Sequence, residues 1–273
     1  MGHAPPAPGR AGDDGRRVSE ASGRELLSVA LEAATAAAGV LVTHARHAAP
    51  SGVRTKCTPT DLVSEADLAA EAAIRDVLRA RRPDDAILGE EGEDEAGTSG
   101  LRWIVDPLDG TVNYLFGIDQ WCVSVACEGR VGVILDPVRG ECFQVVDGGT
   151  PTLDDTPLVA SQRKELATAL VATGFGYDTE VRRGQAAQVA QLLPRVRDIR
   201  RMGSAALDLA WTAAGRYDAY YERGPQAWDL AAGLLLCSAA GLHVRELPAR
   251  DGMPDGVLVA PEALIEPLAD LLV

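Results

Sequence analysis

The stretch "IVDPLDGTVNY", residues 104–114, decides how the rest of this chain is read. Ile104 and Val105 open it as a strand. Two aspartates, Asp106 and Asp109, then stand either side of Pro107 and Leu108, and Gly110, Thr111 and Asn113 follow. Asp, Pro and Gly each form turns for separate physical reasons. The same residues therefore admit an ordinary turn at the end of a strand, or an acidic clamp for something positively charged.

Working outward, two more acidic sites follow apolar runs. Glu90 and Glu91 come after "AILG", and Asp229 comes after Trp228 at the start of "LAAGLLL". Each has a plain reading of its own: "EEGEDE" as a solvated loop, Asp229 as the N-cap of its helix, and Asp67 as part of a capping box in "SEAD" (64–67). Taken together, carboxylates placed just beyond buried strands are held by a rigid scaffold, as a metal site requires. Hard oxygen ligands suit Mg²⁺, Mn²⁺ or Ca²⁺, and the lack of a Cys/His set argues against zinc. Asp106 and Asp109 could grip two neighbouring ions if one carboxylate bridges them. Gly110 and Thr111 would leave backbone N–H groups for phosphate oxygens, and no GxxxxGK[ST] loop for ATP is present. A divalent-metal phosphomonoesterase is the leading expectation from these residues.

Composition sets the limits. With 47% apolar residues in 273, the chain can fill one large domain or two closely packed lobes. The net charge of −14 argues against nucleic acid as a partner. It tolerates a phosphorylated substrate only if cations stand between ester and protein. No run of 18 residues reads as strongly apolar and free of charge, so no membrane span is expected. Residues 1–20, rich in Pro, Gly and charge, read as a disordered tail without a signal-peptide core. Pro6 stands where a myristoylation site needs Ser or Thr. The five cysteines, with no CxxC, read as reduced thiols of a cytoplasmic protein. His44 and His47 read as helix surface rather than metal ligands.

A long alanine-rich helix is expected over 22–48, with Leu26, Ala30, Ala33, Ala34, Ala37 and Leu41 at helical spacing. A second helix ends at Pro83. Three β-rich runs fill 120–146, separated by "EGR" and "DPVRG". After the turn-rich "DGGTPTLDDTP", strands ("PLVAS", "ALVATGFG", "DIRRMG", "YDAYYE", "GVLVA") alternate with helices near 179–193 and 203–215, within "WDLAAGLLLCSAAG" and at the end of the chain. The reading is a layered α+β protein of two lobes, 21–155 and 156–273.

Five motifs in this order, "DLVSEAD" (61–67), "GEE" (89–91), "DPLDGTVN" (106–113), "GSAALDLA" (203–210) and "DAYYERGPQAWDLAAG" (218–233), make the chain resemble the inositol monophosphatase family from about residue 20 to its end. The resemblance implies an αβαβα sandwich, usually a homodimer, and a Mg²⁺-dependent, lithium-sensitive sugar phosphatase. It implies two to three Mg²⁺ ions, with Mn²⁺ as a possible substitute. Glu90, Asp106 and the Leu108 carbonyl would hold the first, and Asp106, Asp109 and Asp229 the second. A third, weaker ion would sit near Glu90. Gly110 and Thr111 would offer N–H groups to phosphate, while Thr111, Asp67 and Glu90 would orient and deprotonate a metal-activated water that attacks phosphorus directly. Ser204, Ala205 and Glu222 would meet the inositol hydroxyls, and Lys56 would temper the carboxylates. The chain departs from the family in a shorter hairpin at "VACEGRVGVILDP" and in "DGGTPTLDDTP". Histidinol phosphate, fructose 1,6-bisphosphate and 3′-phosphoadenosine 5′-phosphate remain as alternative substrates. A role as an accessory protein of transcription remains as an alternative of another class.

Overall fold

The computed structural model describes residues 14–45, 54–55, 62–63 and 65–272, and the side chains of these except 14–21, 54–55 and 62–63. Residues 1–13 of the expected tail, with His47, Lys56, Cys57 and Ser64, lie outside the described residues. The chain runs α1 (Asp14–Ala45), β1 (Arg54–Thr55), β2 (Leu62–Val63), α2 (Glu65–Arg81), β3 (Ala86–Gly89), β4 (Arg102–Asp109) and α3 (Thr111–Leu115). It continues through β5 (Cys122–Cys127), β6 (Val131–Asp136), β7 (Glu141–Val146), β8 (Thr152–Leu153), β9 (Thr156–Pro157), β10 (Leu170–Thr173) and α4 (Thr179–Leu192). Then come β11 (Asp198–Arg200), α5 (Ala205–Ala213), β12 (Ala219–Arg223), α6 (Ala227–Ala239), β13 (His243–Leu247), β14 (Gly256–Ala260) and α7 (Glu262–Leu272).

Strand periodicity builds the layers. In β5, Val123, Val125 and Cys127 join one core with α1 and α2, while Cys122 and Ala126 face the other way, into a second core with α5 and α6. In β14, Val257 and Val259 face that same second core, and Leu258 and Ala260 face a third core with α7. This alternation is what a strand buried on both faces requires. A sheet ordered β3-β4-β5-β6-β7-β8-β9 and a sheet ordered β11-β10-β12-β14-β13 are thus stacked between and around helices. The result is the layered αβαβα sandwich expected from the sequence. The middle helices sit close: a Cβ added at Gly132 on β6 would lie 3.0 Å from the Ala232 Cα of α6.

Some expectations shift. Helix α1 begins at Asp14, inside the region read as tail. Its segment Ser22–Ala45 is long and apolar enough to cross a bilayer. Here, however, Leu26, Ala30, Ala33, Ala34, Ala37 and Leu41 form a buried stripe in the first core. The turn-rich stretch contains the narrow β8–β9 hairpin, turned by Asp154 and Asp155 at φ 46° and 64°, a conformation that Asp tolerates better than most residues. "PLVAS" is not a strand beyond Pro157, and β13 is a strand that the sequence pattern does not announce.

Asp85, 5% exposed, anchors the loop before β4. It accepts hydrogen bonds from Trp103 Nε1 (2.9 Å), Ser99 Oγ (2.6 Å) and Arg82 Nε (2.8 Å). Burial alone would raise its pKa, but these donors and the Arg82 charge hold the carboxyl below its ordinary range. A depressed folded pKa stabilises the protein above the unfolded value, and this stabilisation is lost as pH falls through the folded value. Asp85→Ala is expected to cost about 2–4 kcal/mol in urea unfolding at neutral pH, with a smaller difference from wild type in strong acid. An equal difference at both pH values would remove the carboxylate charge from this account.

Candidate active site

The two aspartates of the opening stretch owe their alignment to a β-bulge. Asp106 pairs with Ser124 and Asp109 with Cys122, so three steps along β4 match two along β5. Without the extra residue, positions three apart on a strand point to opposite faces. With it, both carboxylates lie on the face that carries Cys122 and Ser124, toward α5 and α6. Leu108 turns back into the first core. Pro107 is tolerated because a bulge is one of the few places in a sheet where a missing N–H does no harm. The sequence suggests a turn across these residues. The structure instead continues the strand to Asp109 and turns at Gly110. A φ of 100° demands glycine there, and so does the nearby Gln120 carbonyl, whose oxygen would lie 2.8 Å from any Cβ at this position. Asn113 then ties the turn down, donating to Gln120 O and Met202 O, both at 2.8 Å.

Asp229 arrives from α6. Gln226, not Asp229, is the N-cap; Asp229 occupies the third helical position, where its carboxylate accepts the Gln226 N–H in a capping box that does not prevent another role. Carboxylate oxygens of Asp106, Asp109 and Asp229 lie within 4.8 Å of one another. Asp106 is 1% exposed and Asp109 8%. Burial first, then the charges of Glu90, Asp109 and Asp229, push the Asp106 carboxyl well above its ordinary range. Burial also raises Asp109 to about 6, against the Ser204 hydroxyl and Ala206 N–H, which donate to Oδ2 at 2.6 and 2.7 Å. Asp229 is raised by burial and by the Asp109 charge. Mostly buried, mutually repelling, all-oxygen and convergent, this set fits a hard divalent cation.

Glu90 lines the same cavity. Its loop is held from behind by Glu71 on α2, which accepts the N–H groups of Glu91 (2.7 Å) and Gly92 (2.9 Å) and pairs with Arg75 at 2.7 Å. Asp67 is fully buried and accepts the Thr111 hydroxyl at 3.0 Å, which also lies 3.1 Å from the Leu108 carbonyl. Ser204, expected to meet substrate, directs its hydroxyl to Asp109 and caps α5. Ala205 and Glu222 line the cavity. Burial raises Glu222 to about 7, although the Tyr220 hydroxyl donates to it at 2.9 Å.

The cavity, about 460 Å³, is lined by Glu90, Asp106, Asp109 and Thr111 and also by Asp208, Glu222 and Arg201. Sequence reasoning does not single out Glu71, Arg201 or Asp208. Asp208 stands in plain view inside "GSAALDLA", where a charged residue among helix-core alanines and leucines is the available signal. Among the described residues, Cys122, Cys127, Cys142 and Cys237 are free thiols, and His44 Nδ1 donates within its own helix, to Val40 O at 2.9 Å.

A family model described as the inositol monophosphatase family matches residues 23–272. The chain belongs to that family. It is 44% identical over 217 residues to the inositol-1-monophosphatase of Mycobacterium leprae (strain TN), covering 75% of this chain and 74% of that protein. It is 40% identical over 222 residues to the Nus factor SuhB of Pasteurella multocida (strain Pm70), covering 79% and 83%. Among solved structures, the extragenic suppressor protein suhB of Bartonella henselae superimposes with a TM-score of 0.82 at 34% identity, covering 90% of this chain and 98% of that one.

In this member of the family, repulsion among the carboxylates carries a testable sign. Asp106→Asn removes one charge while keeping an oxygen to accept the Leu108 N–H (2.9 Å in the native chain). Without divalent cations it is expected to raise Tm, with a gain of about 1–2 kcal/mol. With Mg²⁺ it should show little of the wild-type increase in Tm. Calorimetry with and without EDTA reads both; a variant less stable than wild type in EDTA would contradict the repulsion argument.

Proposed function

We propose that this chain is a Mg²⁺-dependent phosphomonoesterase that releases phosphate from a small polyol ester, myo-inositol 1-phosphate first among them. The observation that carries the reading is the convergence of Asp106, Asp109 and Asp229 within 4.8 Å in a cavity that Ser204, Asp208 and Glu222 also line. Membership of the family supports it, as does the name of the Mycobacterium leprae relative. Residues 21–155 would supply most of the cation and phosphate site, and residues 156–273 would complete it with Asp229 and the substrate wall. The working form proposed is a cytoplasmic homodimer.

Glu90, Asp106, the Leu108 carbonyl, Asp109 and Asp229 would hold two to three Mg²⁺ ions, with Mn²⁺ able to substitute. The cations would supply Lewis acidity toward the phosphoryl oxygens and toward water. Gly110 and Thr111 would present backbone N–H groups to the phosphate. The Thr111 hydroxyl, held by Asp67, would orient the attacking water, and Asp67 or Glu90 would take its proton. Ser204 would act mainly by fixing Asp109, Ala205 by its backbone, and Glu222 by accepting leaving-group hydroxyls.

A panel of inositol 1-phosphate, histidinol phosphate, fructose 1,6-bisphosphate and 3′-phosphoadenosine 5′-phosphate, assayed with and without Mg²⁺, tests this reading. Mg²⁺-dependent preference for inositol 1-phosphate is expected. Preference for histidinol phosphate would move the substrate to an ammonium-bearing ester, which an acidic wall also suits. Asp109→Asn is expected to lower kcat by about a hundredfold or more with an unchanged far-UV spectrum; near-normal turnover would remove Asp109 from the cation set. Relatives named Nus factor SuhB favour a second reading, in which the chain binds the transcription machinery. Silence across the whole panel, with capture of RNA polymerase, would promote that reading to first place.

A further inference from the structure

Asp208 is the one buried acid of the cavity to which neither the cation set nor the phosphate site gives a task. It sits in the first turns of α5, is 1% exposed and lines the cavity. Among the described residues no hydrogen-bond donor reaches its side chain, and Oδ1 is sealed from solvent without a partner. Burial, followed by the charges of Glu222 and Asp109, pushes its carboxyl well above the ordinary range, with Arg201 opposing. Arg201 does not neutralise it directly. That guanidinium is exposed at the rim, 5.8 Å over the Phe175 ring, and forms no ion pair with Asp208 or Glu222 among the described residues.

A buried carboxyl group with no donor is costly, and a second acid beside it raises the cost. A plain core position on α5 would be served by Ala or Leu, as at Ala206, Leu207, Leu209 and Ala210 around it. What distinguishes position 208 is that, with Oδ1 sealed, the rest of its carboxyl lines the same cavity as Asp106, Asp109 and Asp229. An ester whose phosphate is held at the Asp106–Asp109 cluster would place its leaving group in the remainder of this cavity, which Asp208 and Glu222 line. A polyol or an ammonium group supplies the donors that Asp208 lacks. A second phosphate supplies none, and adds negative charge in a site poorly screened by water.

We propose that Asp208 is a specificity-determining residue: with Glu222 it forms a two-carboxyl wall that accepts donor groups of the leaving group and turns away one that carries a second phosphate. This rests on the phosphomonoesterase reading of the cavity.

The test compares the full-length wild type with Asp208→Asn and, as a second variant, Asp208→Ala, in Mg²⁺. The ratio of kcat/KM for fructose 1,6-bisphosphate to that for inositol 1-phosphate should rise about tenfold in both variants, mostly through a higher KM for the monoester. An unmoved ratio in a variant that keeps its Mg²⁺-dependent gain in Tm would overturn the proposal and leave Asp208 a packing residue. If histidinol phosphate suffers more than inositol 1-phosphate, the wall stands and its natural donor is an ammonium group. If the wild type hydrolyses nothing, the enzymatic reading fails separately, and calorimetric binding of inositol 1-phosphate in Ca²⁺ decides for the wall. A loss of about fivefold or more in Asp208→Asn keeps the wall. Equal binding, or none by the wild type, overturns it.

Discussion

Everything in this protein's site depends on bringing two buried carboxylates and the half-buried one of Asp229 to one point, against their mutual repulsion. The bulge at Pro107 and Leu108 solves the geometric half of that problem. It removes one step of the strand alternation, so Asp106 and Asp109 share a face. The energetic half is handled by donors that do not move: the Ser204 hydroxyl and Ala206 N–H for Asp109, the Leu108 N–H for Asp106, and the Gln226 N–H for Asp229. Each carboxylate therefore arrives oriented, and the remaining repulsion is what favours a cation.

A second layer of support lies behind these carboxylates. Glu71 and Arg75 hold the backbone of the Glu90 loop, and Asn113 ties the turn after β4 to the segment leading into α5. Glu71 on α2 lies 20 residues before the Glu91 N–H it accepts, and Asn113 on α3 reaches Met202 across 89 residues. Pairs of this kind come together only when the first sheet is packed on both faces, which links the acidic site to the hydrophobic cores on either side of it.

The layers are legible in the sequence because strand alternation and helical spacing are local signals. α1 shows its stripe in Leu26, Ala30, Ala33, Ala37 and Leu41, and α6 shows a capping acid followed by a Gly stop. The cluster is legible as acids beyond apolar runs. Its bulge is not: "DPLD" has the composition of a turn, and only pairing with Ser124 and Cys122 shows that the strand continues. The Asp208–Glu222 wall is the least legible part. Asp208 reads as one charge in a helix, and its missing donors exist only as a relation between α5, β12 and the cavity.

The contact of Gly132 with Ala232 has a consequence beyond packing. α6 rests on β6 almost backbone to backbone, while the same helix carries Asp229 at its start and shares a core with strands β10, β12 and β14 of the second sheet. The spacing between the two sheets and the span of the carboxylate cluster are therefore a single dimension of the molecule. A cation gripped between β4 and α6 would act as a rivet through the sandwich, and the grip of that rivet would be set by how thick the middle layer is.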